Sequence, residues 1–147
     1  MFTIKDCDDY EIAKALIREY SQIQGAEECF VSLENELADL ESYYKGGALF
    51  IGYEDDVPSA TFAIKKIDDI TCEAKRIYIK PEVRGKGYAR ILINKMLERS
   101  RQLGFKEITL TTKPEIMNVA YNLYKKIGFE EVSNKDGTIA MKMNLQA

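Results

Sequence analysis

The stretch EVRGKGYAR, residues 82–90, follows a strand-like segment and precedes a helical one, and it combines two glycines with three cations. Gly85 and Gly87 permit backbone conformations with positive φ. Backbone N–H groups of such a turn point at an anion, and the dipole of the following helix adds attraction. The pattern therefore predicts a turn that binds a diphosphate. A tight turn with solvated cations fits the glycine spacing equally well.

Two common nucleotide-binding motifs do not fit this turn. A Walker A loop requires Gly-Lys followed by Ser or Thr, whereas here Gly87 is followed by Tyr88. A dinucleotide fingerprint requires a strand that leads directly into its first glycine, and Pro81 and Glu82 intervene here. The turn therefore matches neither motif, and a diphosphate site of another kind and a tight turn with solvated cations both stay open.

The sequence contains no histidine, which removes the commonest general base and the commonest transition-metal ligand. The chemistry must then use carboxylates, tyrosines, lysines or the backbone, and no metal site is predicted. Cys7, Cys29 and Cys72 are odd in number and widely spaced, which is typical of reduced thiols. We expect a cytoplasmic protein without a disulfide framework.

The length of 147 residues predicts one domain, residues 1–147. No stretch reaches the roughly 18 to 20 apolar residues that span a bilayer, and the acidic first residues are unlike a signal peptide. Residues 1–72 carry 6 Lys and Arg against 16 Asp and Glu, and residues 73–147 carry 15 against 8. One half should attract cations and the other anions, although two solvated surfaces would have the same composition. Nucleic acid is disfavoured as a partner because no long basic run is present.

Hydrophobic periodicity predicts the order strand, two helices, three strands, helix, strand, helix, two strands. The second helix is predicted to start at Ser32 and to include Leu40, and the third is predicted to run from Gly87 to Gly104. This order indicates an α/β fold: a mixed, mostly antiparallel sheet of six to seven strands, about four flanking helices and a right-handed β-α-β crossover. The glycine turn lies at the carboxyl end of a strand, where such folds bind ligands.

Beyond the turn, the sequence resembles the GNAT superfamily of N-acetyltransferases. Arg84, Gly87 and Ala89 fit its Arg/Gln-x-x-Gly-x-Gly/Ala signature. Residues 76–112 are similar to the family's strand, pyrophosphate loop, helix and next strand, and AYNLYKKIGFEEV resembles its closing helix. The resemblance implies the GNAT fold, acetyl-CoA as the acetyl donor and an acceptor amine.

The resemblance implies that the anion is the pyrophosphate of coenzyme A, with a β-strand-like pairing of the pantetheine arm along the preceding strand. Many relatives carry Asn seven residues before the motif tyrosine; here Met117 occupies that position. Asn118 is one residue further, about 100° around the helix, and is a further candidate. The implied cofactor contacts are Ile77, Tyr78, Ile79, Arg84, Gly85, Lys86, Gly87, Tyr88, Ala89, Arg90 and Asn118.

For catalysis, the resemblance implies that Tyr124 protonates or hydrogen-bonds the departing thiolate, and that a backbone N–H at a strand bulge near Ile77 to Ile79 binds the thioester oxygen. Packing within an amphipathic helix is the alternative role of Tyr124. Glu73 is the candidate base, because even spacing would place it on the face of Ile77 and Ile79 in an unbulged strand. Its alternative is an ion pair with Lys75, Arg76 or a lysine of a neighbouring strand.

The resemblance places the acceptor site at the first two helices and their loop, with Tyr20, Glu27, Glu28 and Phe30 as candidates. An acidic and aromatic rim of this kind would attract a small cationic amine. The predicted reaction is direct attack in a ternary complex. A non-catalytic acyl-CoA sensor on the same fold is the alternative. An exposed closing hairpin would permit a homodimer.

Overall fold

The computed structural model describes residues 1–22, 33–115 and 118–145. Among them no helix combines the length and apolarity that crossing a membrane requires. The elements are β1 (Phe2–Asp6), α1 (Tyr10–Ser21), α2 (Leu33–Ala38), α3 (Leu40–Tyr43), β2 (Ala48–Glu54), β3 (Val57–Lys66), β4 (Thr71–Ile79), a 3-10 turn (Pro81–Val83), α4 (Tyr88–Gln102), β5 (Glu107–Thr112), α5 (Asn118–Ile127), β6 (Glu130–Lys135) and β7 (Thr138–Asn144).

The strands form one seven-stranded sheet in the order β1-β2-β3-β4-β5-β7-β6. Only the β4–β5 pair is parallel, and all other neighbours are antiparallel. The parallel pair is joined through α4, which is the predicted β-α-β crossover. The structure therefore confirms the mixed, mostly antiparallel α/β fold.

Both faces of the sheet are buried, because side chains alternate between two apolar clusters along each central strand. On one face Phe50 stacks on Phe62 with ring centroids 4.5 Å apart, and this cluster includes Leu92 of α4. On the other face Ile51 packs with Ile17 of α1. The sheet thus holds α4 and α5 on one side and α1 to α3 on the other.

Aspartates start two of the helices on the α1 side. The Oδ1 of Asp9 accepts a hydrogen bond from the Glu11 N–H at 3.0 Å and caps α1. Asp39 accepts from the N–H of Ser42 at 3.1 Å and begins a separate helix, α3. The prediction of one helix through Leu40 was therefore wrong. An aspartate whose side chain accepts a hydrogen bond from the backbone of a following residue favours the start of a new helix. Ser32, the predicted first residue, lies outside the described residues.

A β-bulge interrupts β4 at its centre. Phe62 of β3 lies opposite both Arg76 and Ile77, because the register shifts between Thr61 and Ala63. Arg76 has a φ of 58°, in the left-handed region. One extra residue in a strand reverses the face on which every later side chain lies.

Before the bulge is reached, β4 already separates from β5. The two strands pair only from Thr71 to Glu73 on β4, although β5 continues to Thr112. The second half of β4 therefore has no strand partner on the β5 side, and a cleft opens there.

Candidate active site

The predicted turn lies between the carboxyl end of β4 and the start of α4. Gly85 and Gly87 both have a φ of 82°, and Gly87 is the N-cap of α4. A Cβ on either glycine would meet no atom within 4 Å. Glycine is therefore required at these positions for backbone conformation and not for space.

The backbone of this turn presents a row of donors. Among the described residues, no N–H group from Gly85 to Arg90 donates to a backbone or side-chain acceptor. These donors include the first turn of α4, which has no acidic residue and carries the positive end of the helix dipole. The side chains of Arg84, Lys86 and Arg90 are exposed around them. The turn can hold an anion with main-chain groups while the cations add positive potential.

Two of the predicted contact residues also brace the turn against β1 and β2. Tyr88 stacks on Phe2 with centroids 4.0 Å apart, and its hydroxyl donates to the carboxylate of Glu54. Lys86 Nζ lies 3.3 Å from the same carboxylate. The hydrogen bond to Glu54 raises the pKa of Tyr88 to about 12. The sequence motif contains no signal for Phe2 or Glu54, which lie opposite each other in the β1–β2 ladder.

A third predicted contact residue ties the turn to β4. Arg84 Nε donates to the carbonyl of Ile79 at 2.8 Å, and its guanidinium lies 5.8 Å from the ring centroid of Tyr78. The end of β4 and the turn are therefore joined by one short side-chain bridge.

The cleft between β4 and β5 brings together three residues that were predicted for different roles. It is narrow, about 40 Å³ in volume, and Tyr20, Ile77 and Tyr124 all line it. The remaining lining residues are Ala74, Arg76, Leu110, Thr111 and Thr112. A group carried along β4 from the turn would reach this cleft next to two tyrosines.

Tyr124 is 5% exposed, and its ring packs edge-on against Phe129 with centroids 5.7 Å apart. Burial raises the pKa of Tyr124, and the nearby Tyr20 adds to the shift. The phenol is therefore protonated at neutral pH and has a proton to donate. The packing and the position at the cleft are both present, so the two predicted roles of Tyr124 do not exclude each other.

Tyr20 joins α1 to β4 beside the cleft. Its ring stacks on that of Tyr78 with centroids 5.2 Å apart, and the Tyr78 hydroxyl donates to Glu19. Burial raises the pKa of Tyr78, and the hydrogen bond to Glu19 raises it further. The side chain of Tyr78 therefore serves the contact with α1, while its main chain belongs to the strand edge.

Glu73 does not share a face with Ile77 and Ile79, because the bulge at Arg76 intervenes. Ala74, its neighbour, packs in the same cluster as Ile77 and Ile79, so Glu73 lies on the α1 side. The inference from even spacing was wrong on this point, since it holds only in a regular strand. Glu73 is half-buried and does not line the cleft.

The ion pair proposed as an alternative for Glu73 is not formed among the described residues within 4 Å. Glu73 lies beside Lys65 in the β3–β4 ladder, yet Lys65 Nζ turns to the Tyr43 ring, 3.8 Å from its centroid. Lys75 Nζ likewise lies 3.3 Å from the Tyr43 hydroxyl. Tyr43 thus attracts both lysines away from Glu73, whose role as a base stays a prediction.

A buried ion pair lies at the bulge, and reasoning from the sequence missed it. Arg76 Nε and Nη2 donate to the two carboxylate oxygens of Glu36 at 2.9 and 2.6 Å. The hydroxyl of Tyr44 donates to the same carboxylate at 2.7 Å. Burial by itself would raise the pKa of Glu36, but the hydrogen bonds and charge of Arg76 outweigh it and lower the pKa.

The remaining predicted residues fall at or beyond the limits of the described chain. Glu27, Glu28 and Phe30 lie outside the described residues. Asn118 is the first residue of α5. Among the described residues, no three side chains of the Cys, Asp and Glu types gather as a metal site would require.

Comparison with known proteins agrees with this arrangement of turn, cleft and sheet. The chain belongs to the acetyltransferase (GNAT) family, whose sequence model matches residues 10–129. The prediction of the superfamily is thereby confirmed, and with it the class of acyltransferases.

Individual relatives are distant in sequence. An uncharacterized N-acetyltransferase of Schizosaccharomyces pombe is 29% identical over 130 residues, which cover 86% of this chain and 77% of that protein. The chain spans between 36% and 48% of the length of the other curated relatives it matches.

Solved structures share the fold over nearly the whole chain. An acetyltransferase of the GNAT family from Staphylococcus aureus aligns with a TM-score of 0.81 at 17% identity, covering 99% of this chain and 100% of that one. An N-acetyltransferase from Thermoplasma acidophilum, in complex with coenzyme A, aligns with a TM-score of 0.76 at 18% identity, covering 98% and 99%.

Proposed function

We propose that residues 1–147 form one acetyltransferase domain that transfers an acetyl group from acetyl-CoA to the primary amine of a small acceptor. The observation that carries this proposal is the continuity of three features. A donor-rich turn at α4, the unpaired edge of β4 and the cleft containing Tyr124 follow one another along the molecule. A diphosphate, an extended amide-containing arm and a thioester follow one another in the same order in acetyl-CoA.

The residues of the turn and strand suit each part of this donor. The N–H groups of Gly85 to Arg90 hold the pyrophosphate, supported by the cations of the turn. The edge of Ile77 to Ile79 pairs with the pantetheine arm as an added strand would. Asn118, at the start of α5, is a further candidate contact. The Thermoplasma neighbour has the same fold and is in complex with coenzyme A, which supports coenzyme A as the ligand.

The cleft supplies the groups that acetyl transfer requires. The acceptor nitrogen attacks the thioester carbon in a ternary complex, the carbon–sulfur bond breaks, and the Tyr124 hydroxyl gives its proton to the thiolate. A backbone N–H of the bulge near Ile77 stabilises the developing negative charge on oxygen. Glu73, acting through water, takes the proton of the acceptor amine. Its place outside the cleft rules out direct contact in this arrangement.

The proposed acceptor is cationic. Residues 1–72 hold 16 acidic side chains against 6 basic ones, and this half supplies α1 to α3. Tyr20 contributes an aromatic surface at the cleft, and Glu27, Glu28 and Phe30 belong to the segment that joins α1 to α2. Acidic and aromatic groups together favour an ammonium ion.

The test is release of free thiol from acetyl-CoA in the presence of matched cationic, neutral and anionic primary amines. We expect the highest kcat/KM with cationic amines, and a preference that weakens as salt is added. A higher kcat/KM for anionic amines would overturn the charge argument and leave acetyl transfer intact.

A non-catalytic acyl-CoA sensor is the second candidate, favoured by the position of Glu73 outside the cleft. Tight binding of coenzyme A without turnover on any amine would support it. Coenzyme A at about 100 times its Kd should stabilise the fold by about 2.7 kcal/mol, and ATP-Mg should not. Equal stabilisation by ATP-Mg would contradict both candidates.

The edge strand β6 is exposed along its length, and Val132 is 59% exposed. An exposed edge can pair with a second copy, so a homodimer through β6 is compatible with the fold. Sedimentation of wild type and Val132→Lys tests this proposal. If the protein dimerises through β6, the variant should have a lower mass than wild type.

A further inference from the structure

The backbone of Arg76 is unusual for its place in the fold. Four described non-glycine residues have positive φ, and three of them are aspartates: Asp55, Asp56 and Asp136. These lie in or beside the turns that connect strands, where aspartate tolerates the left-handed region. Arg76 alone lies inside a strand, with a long side chain. Such a conformation costs free energy and persists only where the surroundings enforce it.

The side chain of Arg76 provides that constraint. Its guanidinium makes two parallel hydrogen bonds to Glu36 of α2, and Tyr44, after α3, donates to the same carboxylate. Arg76 is 8% exposed and Glu36 is 1% exposed. A bidentate pair of this kind fixes both distance and orientation, so it fixes where the Cα of Arg76 lies relative to α2.

Stability alone is a weak reason for such a pair. Removing two charges from water is costly, and apolar residues of similar volume often stabilise a fold as well. What an ion pair adds over an apolar contact is defined geometry. At this position the geometry decides the bulge, which lies three residues beyond Glu73, the last residue of β4 that pairs with β5.

The bulge is also part of the cleft. Arg76 and Ile77, the two residues opposite Phe62, both line it together with Tyr124. A change at Arg76 from the left-handed region to extended backbone would remove the extra residue from the ladder. The strand beyond would then turn its other face to the cleft.

We propose that Arg76 is a positioning residue: its buried ion pair with Glu36 holds β4 in the bulged conformation that places Ile77 at the cleft. The assignment rests on the proposed acetyl transfer for its effect on rate, and it also links α2 to the site of reaction. The pair acts on the chemical step, whereas the turn that binds the diphosphate begins at Arg84 and lies beyond it.

The sharpest test compares two double variants that differ by one methyl group. Both carry Glu36→Gln, so that no buried carboxylate is left unpaired; one adds Arg76→Gly and the other Arg76→Ala. Glycine adopts positive φ without strain, whereas alanine resists it. We expect the Arg76→Gly variant to keep a kcat at least about fivefold above that of the Arg76→Ala variant.

If the strand ladder holds the bulge without the ion pair, the Arg76→Gly variant should keep the wild-type kcat, because glycine adopts the φ of Arg76 without strain. That result would contradict the proposal. The Kd for coenzyme A should stay within about threefold of wild type in both variants, because the turn is unchanged. A kcat that is equal in the two variants, or higher with Arg76→Ala, would overturn the proposal.

Hydrogen exchange of peptides that cover residues 71–79 gives a readout that needs no turnover. We expect both variants to exchange faster than wild type over these residues, because both lack the ion pair, and the Arg76→Ala variant to exchange fastest, because alanine also resists positive φ. If wild type transfers acetyl to no amine, the proposed function fails, and the exchange comparison still decides whether the pair holds the bulge.

The matched control is Glu34→Gln. Glu34 lies on the same helix as Glu36, α2, and the substitution breaks its exposed ion pair with Arg18 of α1. It should leave kcat and the exchange of residues 71–79 unchanged. An effect on both equal to that of the two double variants would assign the result to α2 as a whole and contradict a specific role for Arg76.

Discussion

Tyr124 has the two properties that a proton donor needs in this cleft. It lines the space between β4 and β5, and its buried position keeps the phenol protonated at neutral pH, because burial raises its pKa. Proton transfer from a positioned group contributes a large factor to a rate. The same ring packs against Phe129, so removal of the hydroxyl alone separates chemistry from packing.

For Tyr124→Phe we expect kcat to fall by about 100-fold with little change in the melting temperature. The ring that contacts Phe129 is retained, so the core should keep its packing. Steady-state kinetics with acetyl-CoA and the best amine measures this, with Tyr121→Phe on the same helix as the control. Tyr121 does not line the cleft, and a kcat within about twofold of wild type for Tyr124→Phe would exclude the donor role.

The proposed role of Glu73 depends on the face of β4 on which it lies, and the bulge separates that face from the face of Ile77 and Ile79. If Glu73 acts as a base through water, the Glu73→Gln substitution should lower kcat by about tenfold or more and leave the KM for acetyl-CoA unaltered. Glu107→Gln is the control, since Glu107 is also half-buried and lies in the same β4–β5 pair, opposite Thr71. If the two variants are equally active, the proton of the amine leaves by another route.

At the scale of elements, α4 is bounded by two glycines with the same backbone requirement. Gly87 at its start has a φ of 82°, and Gly104 beyond its end has a φ of 91°. Neither would bring a Cβ within 4 Å of another atom. The two positions therefore share this backbone requirement and differ in location, one at the predicted pyrophosphate turn and the other 17 residues away (104 − 87) at the opposite end of the helix.

Gly87→Ala and Gly104→Ala should each lower the free energy of unfolding by about 1 to 2 kcal/mol, because alanine resists positive φ. Only Gly87→Ala should weaken the binding of coenzyme A, by about tenfold in Kd, because it disturbs the N–H groups of the turn. Urea unfolding and calorimetric titration measure the two effects. Equal coenzyme A affinities in the two variants would contradict a diphosphate site at this turn.

At the scale of the whole molecule, one buried ion pair and one largely exposed ion pair connect distant segments. Arg76 of β4 holds Glu36 of α2, and Arg99 of α4 holds Asp6 of β1 at 2.9 Å. The hydrogen bond from Arg99 is the largest cause that lowers the pKa of Asp6, and the pKa of Glu36 is lowered as well. A carboxyl whose folded pKa lies below its unfolded pKa stabilises the fold above the unfolded value, and this contribution is lost as pH falls through the folded pKa.

We therefore expect the free energy of unfolding to decrease as pH falls below the usual Glu value of 4.5. Glu36→Gln should flatten this decrease, because glutamine does not titrate. Urea unfolding at neutral pH and at several acidic values measures the slope. Glu34→Gln serves for comparison, and its slope should change less because that pair is exposed. Parallel wild-type and Glu36→Gln curves would show that Glu36 titrates alike in both states.

Much of the fold could be predicted because its signals are local. The apolar spacing of α1, α4 and α5 and the glycines at both ends of α4 depend on neighbours within a few residues. The same holds for the turn from Arg84 to Arg90 and for Tyr124, which are carried by short motifs. The break at Asp39 is also local, yet the Leu33, Leu37 and Leu40 spacing concealed it.

The sequence by itself determined the order of the strands and their place around α4 and α5, the glycine turn before α4 and the superfamily, since each is encoded in contiguous residues. The family resemblance implied a bulge near Ile77 to Ile79, and only the tertiary structure decided its position at Arg76, the face of Glu73 and the contacts of Glu36 with Arg76 and of Glu54 with Tyr88. Strand register is set by pairing with a neighbouring strand, and ion pairs of this kind join residues that are far apart in the chain. No spacing within β4 could therefore reveal that one residue is left out of its ladder.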